Sequence, residues 1–210
     1  MSARLGRADM EPFIRLAATA APLKRDNIDT DQILPARFLM MPRDERYRTY
    51  VFRDLRQNAD GSEIPDFVLN QKPFRDERII VAGHNFGCGS SREGAVFTLV
   101  DAGFRCVIAP GFGDIFYNNA FNNGLLPVIL PGETIEILQE LLEHTPMPEI
   151  TVDLEEQLVT GPEKFTARFE IDPHRREKLL KGLDPVAYTM QFEAAINEFE
   201  NTYGASYPWG

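Results

Sequence analysis

Two short runs of the chain hold residue types at spacings that chemistry needs. The first is Asn85-Phe86-Gly87-Cys88-Gly89-Ser90-Ser91-Arg92-Glu93. Its two inner glycines permit positive φ and let another molecule come close to the backbone. Ser90 followed three residues later by Glu93 matches a capping box, in which the serine bonds a helical amide and the glutamate reaches back. The remaining first-turn amides then lie beside the Ser91 hydroxyl and the Arg92 guanidinium. Helix N-termini attract anions, and arginine adds a planar fork suited to a carboxylate. A plain helix start with Arg92 in a surface ion pair is the competing reading. The glycines and the apolar run just before them favour a carboxylate or phosphate site. The spacing is neither a dinucleotide fingerprint nor a P-loop, and it lacks the Gly-x-Ser-x-Gly of a nucleophile elbow.

The second run is Asp29-Thr30-Asp31-Gln32-Ile33-Leu34-Pro35-Ala36-Arg37-Phe38. It sets two acids and a threonine before a proline-fixed bend and an arginine after it. An aspartate here can orient a serine or hold the loop through Asx-type bonds, and Arg37 can clamp a second carboxylate. In isolation the run reads sooner as a turn with solvated charges. Paired with the first run it becomes informative. The other reactive side chains add little. His84 adjoins the first run, while His144 and His174 fall at helix ends, and none stands in a Ser–His–Asp pattern. Cys88 lies at a helix start that can lower a thiol pKa, but is read as a small residue in a tight place. Cys88 and Cys106 form no Cys-x-x-Cys pair, so a zinc or iron–sulfur site within this chain lacks its ligands.

These runs need a frame to position them. Residues 78–82 are an apolar run expected to form a buried strand that delivers the first motif. Residues 92–104 then show helical spacing at Ala95, Val96, Leu99 and Val100. Residues 106–109 and 126–130 read as two more buried strands, with a helix over 115–122 between them. Alternating buried strands and helices indicate parallel βαβ units. A helix over 133–144 carries one apolar stripe of Ile135, Leu138, Leu141 and Leu142. Residues 150–154 and 165–169 alternate as half-buried strands flanking the Thr160-Gly161-Pro162 turn. Amphipathic helices over 173–181 and 184–200 close the chain, separated by Gly182-Leu183-Asp184-Pro185. Residues 13–70 read as turn-rich and irregular. The expectation is one α/β domain over residues 11–210, with a parallel core and added strands. Residues 1–10 are read as a flexible extension, with Met10 as an alternative start.

The 210 residues are 43% hydrophobic and 26% charged, ordinary values for a globular chain that needs no disulfide or metal staple. Lys and Arg total 22 against 32 Asp and Glu, a net charge of −10, which opposes nucleic acid or an anionic membrane as the main partner. One arginine in a shaped pocket still binds a small anion. No stretch approaches a membrane span. Two cysteines and no signal-like segment fit a reducing cytoplasm.

Asn27-Ile28-Asp29-Thr30-Asp31-Gln32-Ile33-Leu34-Pro35 and Asn85 to Glu93 together resemble the two signatures of the small-subunit family of 3-isopropylmalate dehydratases, which corresponds to the C-terminal swivelling domain of aconitase. The resemblance extends through Pro65-Asp66-Phe67-Val68-Leu69-Asn70, residues 108–116 and 118–127, and Gly182-Leu183-Asp184, and so spans nearly the whole chain. It implies a three-layer β/β/α fold and a separate large subunit, in a heterodimer or heterotetramer. That partner would carry a [4Fe–4S] cluster whose iron helps a hydroxyl leave. The implied reaction interconverts 2- and 3-isopropylmalate by dehydration and rehydration, in leucine biosynthesis.

By motif position, Ser90 matches the base that removes a proton α to a carboxylate, and Asp31 an acid supporting it. Ser91, Arg92, Arg37, Gly89 and Thr30 form the implied substrate-binding set, Arg37 being the weakest match. The apolar segment 38–42 matches the loop that lines the side-chain pocket. One position departs from the pattern. Family members often carry His where this chain has Gly94, which removes an imidazole and is read as opening space near the site. Gly94 leaves open a related hydro-lyase acting on a methyl- or dimethyl-substituted malate, and a separate alternative is a carboxylate-binding swivelling-domain protein without catalysis.

Overall fold

Ile79-Ile80-Val81-Ala82 and Cys106-Val107-Ile108-Ala109 are apolar and buried at every position, so layers must cover both of their faces. The computed structural model describes residues 10–76, 78–90 and 92–206. Strand β1 (Arg15–Leu23) leads to the short helices α1 (Thr30–Ile33) and α2 (Arg53–Arg56). Three strand–helix units follow: β2 (Ile79–Ala82) with α3 (Glu93–Asp101), β3 (Cys106–Ala109) with α4 (Asp114–Asn122), and β4 (Leu126–Ile129) with α5 (Gly132–His144). Strands β5 (Glu149–Asp153), β6 (Leu158–Thr160) and β7 (Thr166–Arg168) come next. Helices α6 (Pro173–Lys181), α7 (Pro185–Met190) and α8 (Glu193–Ser206) close the chain.

The strands form one sheet of order β4-β3-β2-β1-β5-β6-β7. Strands β1 to β4 run parallel, and β5 to β7 are added antiparallel beyond β1. Alternate side chains of the parallel half enter two cores. Ala21, Leu23, Ile80, Ala82, Val107 and Ala109 face α3 and the loops of residues 28–74. Leu16, Ala20, Ile79, Val81, Cys106 and Ile108 face α5 and the apolar positions of β5 and β6. The expected parallel core with added strands is therefore present.

Three elements differ from the sequence expectation. The segment read as irregular contains β1, a central strand. Its Ala17, Ala18, Ala20 and Ala21 carry little strand preference of their own, so pairing imposes the conformation. β1 pairs with β5 through Arg15–Thr19 and with β2 through Ala20–Leu23, so Pro22 has a strand on one side only, where its missing N–H is tolerated. A third added strand, β6, lies between β5 and β7 and ends at the expected Thr160-Gly161 turn. Finally, the single helix expected over 184–200 is two, broken around Gln191 and Phe192. The Asp184 cap and Pro185 start are as read, with the Asp184 carboxylate accepting from the Ala187 amide at 2.7 Å.

The extension assigned to residues 1–10 lies, apart from Met10, outside the described residues. Met10 itself packs against the second core, and its carbonyl lies against Gly182, the left-handed cap of α6.

Candidate active site at the carboxyl ends of the parallel strands

Strands β1, β2 and β3 end side by side, and the loops that leave them stay hydrogen-bonded. Asn27 N–H donates to the His84 carbonyl (2.8 Å), Gly87 N–H to Ile28 (2.7 Å) and Thr30 N–H to Cys88 (2.9 Å). On the far side, Phe86 N–H donates to Gly111 (3.0 Å) and Gly113 N–H to Phe86 (2.9 Å). The two sequence runs thus form a narrow extension of the sheet, with residues 111–113 as its third line. Ligands of open α/β sheets bind at this end of the strands.

Local chemistry explains each turn. Asn27 and Asn85 both take left-handed φ (54° and 59°), which asparagine tolerates, and their side-chain amides bond at 2.9 Å. Asp29 caps α1 in a capping box. It accepts from the Gln32 amide at 2.7 Å, while the Gln32 side chain accepts from the Asp29 amide at 3.0 Å. Gly87 takes φ 72°, and a Cβ there would stand 2.2 Å from Cγ of Phe116. A Cβ on Gly113 would meet the Gly87 carbonyl at 2.5 Å, so α4 starts in direct backbone contact with the turn.

The expected Ser90–Glu93 capping box is not formed. Helix α3 begins at Glu93, Arg92 is its extended N-cap residue, and no side chain caps it. The Glu93 carboxylate accepts instead from Asn123 Nδ2 at the end of α4 (3.0 Å). The Ser90 carbonyl accepts from the Thr30 hydroxyl at 3.0 Å, which ties the serine to the first motif. Gly89 and Ser90 are exposed. Arg92 Nη1 pairs directly with Asp31 Oδ1, with side chains 22% and 52% exposed. Thr30, Asp31, Gly89, Ser90 and Arg92 are therefore brought together. Ser91 lies outside the described residues.

Arg37 is not drawn into the turn. Both its terminal nitrogens bond Asp54 and its guanidinium lies 4.5 Å from the centre of the Phe38 ring, beside an open cavity whose lining includes no residue of the glycine turn. Cys88 also departs from the helix-start reading, because α3 starts five residues later. Burial, and then the charge of Asp29, push its thiol pKa up. His84 is exposed and sits against Gly132 at the start of α5. His144 Nδ1 lies 2.8 Å from the Glu140 carbonyl, and His174, at the amino end of α6, lies 3.1 Å from the Tyr188 hydroxyl.

The structure also corrects the reading of Gly94. No space is open there. A Cβ would come within 2.9 Å of Leu34 Cδ2, 3.0 Å of the Tyr47 hydroxyl and 3.4 Å of Leu39 Cδ2. The loop of residues 34–47 closes onto the first turn of α3, with Leu34, Leu39 and Tyr47 against Gly94. Sequence reasoning missed Tyr47 and Gly113 as parts of this arrangement, and it did not pair Asn27, two residues ahead of the second run, with Asn85, the first residue of the other.

An aconitase C-terminal domain profile matches residues 10–133, and a LeuD_N profile matches residues 136–173. A 3-isopropylmalate dehydratase small subunit from Gluconacetobacter diazotrophicus is 50% identical over 95% of this chain and 97% of its own length. The chain belongs to the 3-isopropylmalate dehydratase small-subunit family. A second member, from Paracoccus denitrificans, is 48% identical over 95% of this chain and 100% of its own. The crystal structure of a 3-isopropylmalate dehydratase (LeuD) from Methanocaldococcus jannaschii superposes with TM-score 0.66 at 27% identity. It covers 88% of this chain and 99% of that one. The family fold is thus the aconitase C-terminal type.

The residues of this chain do not fit the iron–sulfur cluster that the family implies. Cys106 is buried in β3 and Cys88 is wedged between Gly87 and Gly89. Among the described residues no three His, Cys, Asp or Glu are grouped to hold a metal ion, and no helix is long and apolar enough to cross a membrane.

Proposed function

We propose that this chain is the small subunit of a cytoplasmic 3-isopropylmalate dehydratase, contributing Ser90, Arg92, Asp31, Thr30, Gly89 and Ser91 to an active site that a large subunit completes. The observation that carries this is the convergence of the two motifs. Ser90, Arg92 and Asp31 come from loops 60 residues apart in sequence, yet are locked together by the Thr30–Ser90 bond and the Arg92–Asp31 pair. Ser90 and Asp31 are exposed and Arg92 is partly so, as half of a shared site would be.

The chain's own part of the chemistry follows from these positions. Arg92 receives a carboxylate of the dicarboxylate substrate, exchanging its contact with Asp31 for a charge-assisted bond to substrate. Ser90, as alkoxide, removes the proton on the carbon next to that carboxylate. The uncapped first-turn amides of α3 and the nearby guanidinium favour its ionised form. The hydroxyl of the adjacent carbon leaves, the net loss is one water, and its return with positions exchanged gives the isomer. The cluster is assigned to the large subunit. The loop whose Leu39 packs against Gly94 also carries exposed Met40 and Met41, and its apolar character suits a branched alkyl substituent better than a third carboxylate.

Reconstitution tests the reading. Mixed with a cognate large subunit, the chain restores interconversion of 2- and 3-isopropylmalate, and neither subunit is active alone. Ser90→Ala lowers kcat by at least about 10³-fold while the complex still forms. Near-normal turnover by that variant would remove Ser90 as the base.

A further inference from the structure

Phe192, just ahead of α8 and accepting from the Ile196 amide, recurs with Ile196 and Phe199 at i, i+4 and i+7, so the three follow one side of the helix. They are 49%, 36% and 66% exposed. On α7, Met190 and Val186 are also exposed, at 53% and 64%. An exposed apolar row of this kind marks an interaction surface. The ridge is anchored at its start. His174 and Tyr188 pack edge-on at 4.4 Å, and Tyr188 and Phe192 at 5.5 Å. Phe199 in turn stacks on Tyr203 at 5.6 Å. Helix α6, which carries His174, is fixed to α4 by Arg175 Nη2 donating to Asn118 Oδ1 at 2.7 Å. The ridge therefore projects from a defined place on the body.

Charge selects what covers it. Glu193 and Glu200 flank the ridge on one side, roughly 80–100° around the helix from it, and Glu198 lies behind. Helix α8 has no Lys or Arg, and the whole chain carries −10. A second copy would bring glutamates onto glutamates, and an anionic lipid surface would repel the same flank. We infer that the Phe192–Ile196–Phe199 ridge docks, helix in groove, into an apolar groove with a basic rim on the large subunit. This rests on the small-subunit reading above. No residue of the ridge belongs to the catalytic turn.

The test uses the full chain and a cognate large subunit, with affinity read by sedimentation velocity and activity by titration. Ile196→Asp/Phe199→Asp raises the Kd about 30-fold or more, leaves the circular dichroism and melting of the free small subunit unchanged, and recovers wild-type kcat at saturating subunit. Phe199→Gln, at the most exposed ridge position, gives a smaller loss in the same direction if the double variant misfolds. Glu193→Lys/Glu200→Lys weakens the complex at low salt and has little effect at high salt. Wild-type affinity in the ridge variants overturns the docking face alone. So does a wild-type chain that dimerises by itself through the ridge. A wild-type chain that yields neither complex nor activity overturns the parent reading as well.

Discussion

At the scale of single residues, the Arg92–Asp31 pair is a positioning device more than a source of stability. Asp31 is half exposed, and exposed ion pairs contribute about 0–1 kcal/mol. Asp31→Asn is therefore expected to leave thermal unfolding almost unchanged while raising KM several-fold in the assembled enzyme. Equal kcat and KM would show that Arg92 needs no holder. Cys88 gives a pH test. Its folded-state pKa is raised by burial and by Asp29, so at pH 7 to 8 the thiol is protonated and unreactive. Alkylation by iodoacetamide should be slower than for an unfolded control and accelerate only as pH rises beyond the ordinary thiol range. The residue types of the site were legible in the chain, since Ser, Arg and Asp beside glycines announce anion chemistry. The capping arrangement was not. Asp29-x-x-Gln32 and Ser90-x-x-Glu93 carry the same signal, and only the place where α3 begins decides that the first closes and the second opens toward Asn123.

At the scale of elements, the turn depends on how closely α4 approaches it. A methyl group on Gly113 would strike the Gly87 carbonyl and Cys88 Cα, and backbone atoms cannot rotate aside as a side-chain tip does. Gly113→Ala should destabilise the fold by about 1–3 kcal/mol, visible as a lower melting temperature, with activity lost in parallel. Unchanged melting would mean that α4 can slide. The parallel strands were readable because each is an unbroken apolar run. Strand β1 was not, because alanine carries almost no preference and Pro22 argues against a central strand. Its conformation comes from β2 and β5, partners that lie far away in sequence.

For the whole molecule, the distribution of charge matters more than its total. A net charge of −10 with an acidic terminal helix makes association with a basic-rimmed partner an electrostatically steered encounter. The association rate with the large subunit should fall steeply between low and physiological salt, while the dissociation rate changes little. A salt-independent on-rate in stopped-flow mixing would place the interface elsewhere. Composition already indicated that this chain lacks the cysteine ligands of an iron–sulfur site. The proposed docking face could not be read, because an apolar stripe on a helix looks the same whether it packs inward or waits for a partner. Only its exposure separates the two.

The ladder that joins residues 27–30 to residues 84–88 makes the chemistry sensitive to length. Both loops are counted off from the same strand register, which ends at Leu23 opposite Ala82. A single-residue deletion among residues 24–28 would carry Asp31 one step out of phase with Arg92, with every functional side chain still present in the chain. The same deletion in the exposed turn at residues 58–62 has slack to absorb it. Drift in this family should therefore leave the spacing of the first motif from β1 untouched, and an enzyme could be silenced there by miscounting alone.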